Sequence, residues 1–418
     1  MTVSSEHLSS HYDVVIAGGG LVGGSLAIAL AGSHLRVALI EAVPHDSDAQ
    51  PSFDDRSIAL SHGSCNILRQ LGLWDDMQAD AFAIRKIHVS EQRRFGNALI
   101  DAQEQGISEL GCVIKGRHLG AALWKHIDQL TGIDVYCPGR VTATTLPSDG
   151  KWREVAVTAD RETTLRTRLL VAADGARSAL REALGVAATV DDYRQTAIVA
   201  NVQIDPRYAG HTAFERFTAQ GPMAVLPGAD GLYTVVMACG PERAAQLSAL
   251  NDAEFLQCVQ NQLGFRLGRL RKPGKRVAYP LSLVQTAALT AARAVMIGNA
   301  AHGLHPVAGQ GFNLGLRDAA SLAELLVGEK RADDATFDAG AEVLLKGYAN
   351  WRSDDQRKVV AFTDGLIRLF GRQGRLLSYG RGLGLAAFDM FPAGKRMLAR
   401  QTMGLSGRMS RLARGLDL

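Results

Sequence analysis

Apolar residues fall in short unbroken runs at three points along the chain and in alternating or helical spacing between them. Tyr12 to Ala17 (YDVVIA) is β-rich and ended by glycine, which predicts a buried strand. Leu21 to Ala31 predicts a helix of small residues, and Leu35 to Ile40 a second strand closed by Glu41. Together they make a βαβ unit. Pro44 to Asp55 is polar and predicts a loop, and Ser57 to Leu73 has helical spacing that ends near Gly72.

Arg85 to about Gly111 predicts strands and turns, and Leu119 to Leu130 a helix. Two strands follow, joined by a turn at Pro147 to Gly150. Leu169 to Ala173 and Ala294 to Ile297 are further buried strands. Between them Gln195 to Val284 is strand-rich, with turns at Asp205-Pro206 and Gly228 to Gly231 and a helical insert near Asp252 to Leu263. Beyond Phe312 the pattern is mostly helical. An α/β layer is thus visited near the start, near 170 and near 300.

The predicted fold class is α/β: a Rossmann-like nucleotide-binding domain with an inserted β-sheet substrate domain and a helical C-terminal region. The predicted segments of the nucleotide-binding domain are 1–80, 112–190 and 285–330. Those of the substrate domain are 81–111 and 191–284, and 331–418 is the helical tail.

Val14 to Ser33 carries no charge over a length that could span a bilayer. Gly18, Gly19, Gly20, Gly23, Gly24 and Gly32 fall inside it, so strand, tight turn and buried helix is the preferred reading. Met1 to Tyr12 lacks the basic start of a signal peptide.

Composition adds boundaries. With 418 residues, 47% hydrophobic and 21% charged, the chain is an ordinary globular one of two or three domains. A net charge of +4 is too weak to argue for nucleic acid as the main partner, and none is expected. The five cysteines, Cys65, Cys112, Cys137, Cys239 and Cys258, form no CxxC, so reduced thiols in a cytoplasmic protein are expected.

Three glycine motifs carry the chemistry. Gly18-x-Gly20-x-x-Gly23 follows a strand and opens a helix, and Glu41 ends the next strand. That context suits a pyrophosphate held at a helix N-terminus, with Glu41 accepting from a ribose hydroxyl. The motif alone does not separate FAD from NAD. The second motif is Asp174-Gly175-Ala176-Arg177-Ser178 after a strand. The third runs Gly298-Asn299-Ala300-Ala301-His302, Pro306, Gly309-Gln310-Gly311-Phe312-Asn313, Gly315 and Asp318. Its small residues let backbone lie against a flat ligand, and the helix start near Gly311 can face developing negative charge.

In this order and spacing the motifs resemble the FAD-dependent aromatic hydroxylases, the single-component flavoprotein monooxygenases, over about residues 12 to 330. Asp54-Asp55-Arg56-Ser57-Ile58-Ala59-Leu60, Ala213-Phe214-Glu215-Arg216-Phe217-Thr218, Gly221-Pro222-Met223-Ala224 and Tyr279-Pro280-Leu281 are similar to the ubiquinone-biosynthesis branch. The resemblance implies FAD as cofactor, NADH or NADPH as co-substrate, and O2. It implies hydroxylation of a polyprenylated phenol through a flavin C4a-hydroperoxide, with no protein nucleophile.

It also implies site residues. Gly18, Gly20 and Gly23 would hold the pyrophosphate and Glu41 the adenine ribose. Arg56 would reach the pyrophosphate or ribityl chain, Arg117 would touch the cofactor near the ribityl, and Asp174 and Gly175 would lie along the pyrophosphate. Gly298 and Asn299 would meet the ribityl. Pro306, Gly309, Gln310, Gly311, Phe312 and Asn313 would line the isoalloxazine. The family usually has Gly-Asp where this chain has Gly298-Asn299, which removes a charge from that contact. Phe214, Arg216, Tyr279 and Pro306 are the substrate-side candidates, each with simple packing as its alternative.

His302 and His305 lack further ligands nearby, so loop-stabilising hydrogen bonds are expected rather than a metal. Ser178 has no base beside it and reads as a helix-end residue. From Arg357 onward there are twelve basic and three acidic residues among apolar runs. Such a segment can lie on an anionic membrane or dock a lipid-carrying partner, including a ubiquinone-biosynthesis assembly at the inner membrane face. Three other readings stay open: a hydroxylase of a soluble aromatic acid, an NAD-linked dehydrogenase, and a non-catalytic flavin-binding subunit.

Overall fold

Two eight-stranded sheets share the chain, and its sequence visits them alternately. The computed structural model describes residues 11–47, 50, 55–305, 309–329, 336–371, 383–385 and 387–418.

The first sheet has a parallel centre. Its strands are β1 (His11–Ala17), β2 (Val37–Ile40), β8 (Ile133–Tyr136), β11 (Glu162–Ala172) and β18 (Ala294–Met296), in the order β18-β11-β1-β2-β8. Antiparallel β17 (Thr290–Ala291), β9 (Arg140–Thr145) and β10 (Arg153–Thr158) extend it. Val14, Val15, Leu39, Leu169, Leu170 and Val295 are fully buried, as befits strands covered on both faces. The uncharged run Val14 to Ser33 is β1, a glycine turn and helix α1 (Leu21–Leu30). No helix among the described residues is long and apolar enough to cross a membrane.

The second sheet is antiparallel except for one pair. Its order is β19 (His302–Gly303), β16 (Val277–Thr286), β12 (Ala188–Gln203), β15 (Leu232–Cys239), β14 (Gly221–Pro227), β13 (Thr212–Thr218), β5 (Lys86–Glu91) and β6 (Asn97–Asp101). The parallel pair is β13 with β5, which brings 86–101 beside 212–227. Helices α6 (Pro241–Ala249) and α7 (Asp252–Leu263) cover one face, where Phe255, Val259 and Leu263 pack on Met223, Val225, Val235 and Met237. Asn251 and Glu254 close a capping box at the start of α7.

A small third sheet joins the two: β3 (Ser57–Ser61), β7 (Gly111–Lys115) and β4 (Phe82–Ile84). Here the sequence expectation needs correcting. Ser57 to Leu73 is not one helix: Ser57–Ser61 is a strand paired with Gly111–Lys115, and helix α2 (His62–Gln70) starts after it. The Ser61 hydroxyl accepts from the Ser64 amide and caps α2, so the helix has its own start signal inside the apolar run. A four-residue helix α3 (Trp74–Met77) follows.

Helix α4 (Gly116–Ile127) packs on α1, as does α8 (Gln310–Glu329) from another side. Helix α5 (Ala179–Ala183) follows β11. The chain then runs through α9 (Glu342–Gly371) and a final helix at Pro392–Thr402.

Candidate active site

The three glycine motifs and one face of the second sheet open onto a single cavity of about 800 Å³. At one end lie Gly20, Leu21 and Val22, Asp174 to Arg177, Asn299 and Arg56. At the other lie Ile84, Ile87, Val89, Ala213, Phe217, Ala224, Leu226 and Val236. Ser57 to Ser61 of β3 and Gly309 to Asn313 also line the cavity, and Phe362, Leu366, Leu398 and Thr402 line it from the C-terminal helices.

The nucleotide end is shaped by residues without a Cβ. Gly18 has φ +110, and a Cβ there would meet the Ala173 carbonyl oxygen at 2.4 Å. A Cβ on Gly23 would meet the Gly18 oxygen at 1.9 Å, so α1 can approach β1 only with glycine there. No side chain caps α1 at Gly20 and no acidic residue sits in its first turn. Its first N–H groups and positive dipole end are left facing the cavity. The Gly19 amide donates to Glu41 Oε2 at 2.6 Å and the Val43 amide to Oε1 at 2.9 Å. Glu41 thus braces the turn from beneath, beside the Trp124 indole that donates to the Gly19 carbonyl.

The second motif is an assembled helix start. Ser178 donates to Asp174 and accepts from the Arg181 amide at 3.0 Å, and the Leu180 amide donates to Asp174 Oδ2 at 3.1 Å. Ser178 is therefore a helix cap, as expected. Arg181 is buried and donates to the Ala300 carbonyl at 3.1 Å, tying the second motif to the third.

The third motif is held by Asp318. Its Oδ2 faces His302 Nε2 at 2.6 Å and accepts from the Gly298 amide at 3.2 Å. Its Oδ1 accepts from Arg352 Nε at 2.7 Å and Gln356 Nε2 at 3.2 Å. Burial alone would raise the Asp318 carboxyl. The charges and hydrogen bonds of His302 and Arg352 outweigh it and hold the group well below the usual carboxylate range. His305 meets Gln195 Oε1 at 3.1 Å, and burial pushes its pKa down to about 4, so its ring is neutral. Both histidines make the loop-stabilising contacts expected of them. Among the described residues no cluster of His, Cys, Asp and Glu suits a metal.

The remaining predicted residues divide. Gly20, Arg56, Asp174, Gly175, Asn299, Gly309, Gln310, Gly311, Phe312 and Asn313 line the cavity. Gly18, Gly23, Glu41 and Gly298 stand behind that lining. Arg117 pairs with Asp55 at 2.5 Å outside it. Pro306, Asp54 and the tail's Arg372, Arg375 and Arg381 lie outside the described residues. Asn313 does more than line: it donates to the Ala59 and Gly309 carbonyls and accepts from the Ser61 amide, stitching α8 to β3. Tyr279 does not line the cavity, but its ring lies 4.8 Å from the Arg56 guanidinium and positions it.

On β13 the expected alternation holds, and of the two residues expected on the substrate side Phe214 reaches the cavity lining and Arg216 does not. Arg216 turns away, donating to the Gln262 carbonyl at 2.6 Å and to Ser90 Oγ at 3.0 Å. The ring of Phe214 belongs to the core under α6 and α7, although the residue reaches the lining. Ala213, Glu215 and Phe217 are the inward set.

Comparison with known proteins fits this geometry. A family model described as an FAD binding domain matches residues 11–363. The chain belongs to this family of FAD-dependent aromatic hydroxylases. Ubiquinone hydroxylase UbiL of Rhodospirillum rubrum is 35% identical over 411 residues, 97% of this chain and 93% of that protein. The 3-demethoxyubiquinol 3-hydroxylase of Escherichia coli is 30% identical, covering 94% of this chain and 98% of its own. The human mitochondrial ubiquinone biosynthesis monooxygenase COQ6 is 29% identical, over 90% and 89%. In fold, the chain is similar to p-nitrophenol 4-monooxygenase PnpA of Pseudomonas putida, with a TM-score of 0.76, 19% identity, and 96% and 100% coverage.

The residues present fit the cofactor that defines the family. An uncapped helix start, glycines whose Cβ atoms would collide with backbone, and a small-residue loop from Gly309 into α8 suit a dinucleotide with a flat ring.

Proposed function

We propose that this protein hydroxylates a polyprenylated phenol in ubiquinone biosynthesis, using NAD(P)H and O2. The observation that carries the reading is the two-ended cavity: a glycine-built nucleotide end continuous with an apolar sheet face. FAD, when bound, supplies the activation of O2, and the protein supplies position and dryness.

Gly18, Gly20, Gly23 and the α1 N-terminus would take the pyrophosphate, with Asp174 and Gly175 along it and Arg56 as the cation. Glu41 would take the adenine ribose and Arg117 would touch the cofactor near the ribityl. Gly298 and Asn299 would take the ribityl, and Pro306 with Gly309 to Asn313 the ring. The substrate ring would lie against Ala213, Phe217, Ala224 and Leu226, shielded from water. Its chain would leave past Phe362, Leu366 and Leu398, toward the basic tail and a membrane surface or lipid-carrying partner.

The same sheet face argues against a soluble aromatic acid. Its ionisable lining residue is Glu215, an acid, while Arg216 faces away. A carboxylate substrate would meet no cation there.

The test is direct. Purified protein is denatured and its released chromophore identified. NAD(P)H oxidation is then followed with and without a prenylated phenol, and labelled O2 is traced into product. Releasable FAD, substrate-stimulated oxidation and label in the ring support the reading. Oxidation that ignores the phenol removes it.

A further inference from the structure

Glu215 stands alone on an apolar wall. Alternation along β13 puts Ala213 and Phe217 on its face, and register puts Val89 of β5 and Ala224 of β14 beside it. Its Oε1 is buried and has no hydrogen-bond partner. Burial pushes its pKa up to about 8 and is the only cause; the other ionisable lining residues, Arg56, Asp174 and Arg177, contribute nothing. His88 and Arg216 project from the opposite face of the sheet. At neutral pH the side chain is mainly the neutral acid, able to donate and to accept.

A buried polar group without a partner destabilises the fold that holds it, and a ligand that brings the partner removes that cost. The ligand must be apolar over most of its surface, since the neighbouring wall offers only hydrocarbon. It must also carry one oxygen at the height of Glu215. A phenol ring with an apolar chain meets both conditions.

We propose that Glu215 hydrogen-bonds the ring hydroxyl of the phenol and so fixes which ring carbon is presented to the flavin end of the cavity. The inference rests on the substrate cavity proposed above. Glu215 is the one polar side chain among the lining residues of the second sheet, so a ring lying against that face takes its angle from this contact.

The experiment compares the parent with E215L and E215Q, each checked for FAD content and cooperative melting. Calorimetry measures binding of a 4-alkylphenol and of the matching alkylbenzene, and turnover of a prenylated phenol gives kcat, KM and the position of the new hydroxyl. The parent should prefer the alkylphenol by roughly tenfold. E215L should erase that preference while keeping alkylbenzene affinity, raise KM and mix the ring positions; E215Q, which keeps a donor and an acceptor, should retain most of the preference. A parent with no preference, or an E215L that keeps both preference and position, overturns the assignment. Should E215L not fold, E215Q decides. Alkylphenol affinity should change across pH 8 in the parent and stay flat in E215Q, and identical profiles overturn the role. A parent that binds neither probe and ignores the prenylated phenol refutes the substrate cavity itself, a result distinct from failure of Glu215 alone.

Discussion

His302 Nε2 lies 2.6 Å from Asp318 Oδ2, and this pair clamps the loop of the third glycine motif onto the helix that follows it. The same oxygen takes the Gly298 amide, and the other oxygen takes Arg352 from α9. Gly315, one turn before Asp318, lies so close that a Cβ on it would sit 3.0 Å from the Gly298 Cα. The loop that would meet the flavin is thus set from behind by a fully buried carboxylate.

Asp318→Asn should destabilise the protein by about 1.5–3 kcal/mol, because it removes the charged acceptor of His302 and one of the two carboxylates that pair with the buried Arg352 guanidinium, leaving Asp355 as the other. Thermal melting measures it. The pH dependence has a sign. The folded carboxyl titrates below its unfolded value, so its stabilisation is present above about pH 4 and fades as pH falls further. The variant should lose less stability than the parent on going from neutral to acid pH. Parallel melting curves against pH would count against the clamp.

Gly23→Ala should strip the protein of flavin. The added methyl meets the Gly18 oxygen at 1.9 Å and pushes α1 off the strand end that builds the turn. Overpacking of this kind costs about 1–3 kcal/mol. Flavin content after gel filtration and the melting midpoint should both fall, and a variant with full FAD content would contradict the cradle.

Asn299→Asp should keep or tighten flavin binding. Asn299 is exposed and lines the cavity, so a carboxylate there pays little desolvation and strengthens any hydroxyl contact. Fluorescence titration of apoprotein with FAD measures it. Markedly weaker binding would exclude a ribityl contact.

Arg216→Ala should lower the melting midpoint and leave KM for the phenol within about twofold, since its hydrogen bonds go to Gln262 and Ser90 behind the sheet. A large KM change with an unchanged midpoint would return this residue to the substrate side.

Glu215→Gln should gain stability relative to the parent as pH rises. A carboxyl raised to about 8 in the fold contributes stability that is intact below its unfolded value near 4.5 and is lost as pH climbs through 8. The difference in midpoint between variant and parent should therefore grow by a few degrees between pH 5 and pH 9. A constant difference would mean that the carboxyl is not buried.

The parallel layer was legible because its strands are short, mainly apolar runs ended by a glycine or an acidic residue, and Tyr12–Ala17, Leu35–Ile40 and Leu169–Ala173 each fell on a strand. Strand β3 was not, because five residues of SIALS fit a helix as well as a strand until Gly111–Lys115, fifty residues away, pairs with them. The inward set on β13 was missed for a related reason. Alternation in sequence gives two faces but not which one meets the cavity, and that is decided by the helices α6 and α7 covering the other side. The long-range bonds of Asn313 and Arg181 carry no local pattern at all.

The cavity wall takes residues from Gly20 to Thr402, and the Gln310 side chain donates to the Thr402 carbonyl at 3.3 Å. During synthesis the nucleotide-binding strands and the second sheet can leave the ribosome and pair in turn, yet the chamber between them lacks a side until the last helix emerges. A nascent chain stalled before residue 400 would present the hydrocarbon face of β13 and β14 to water. Ribosome-bound intermediates of that length are where a chaperone should be found, and where premature termination should yield aggregate rather than a slower enzyme.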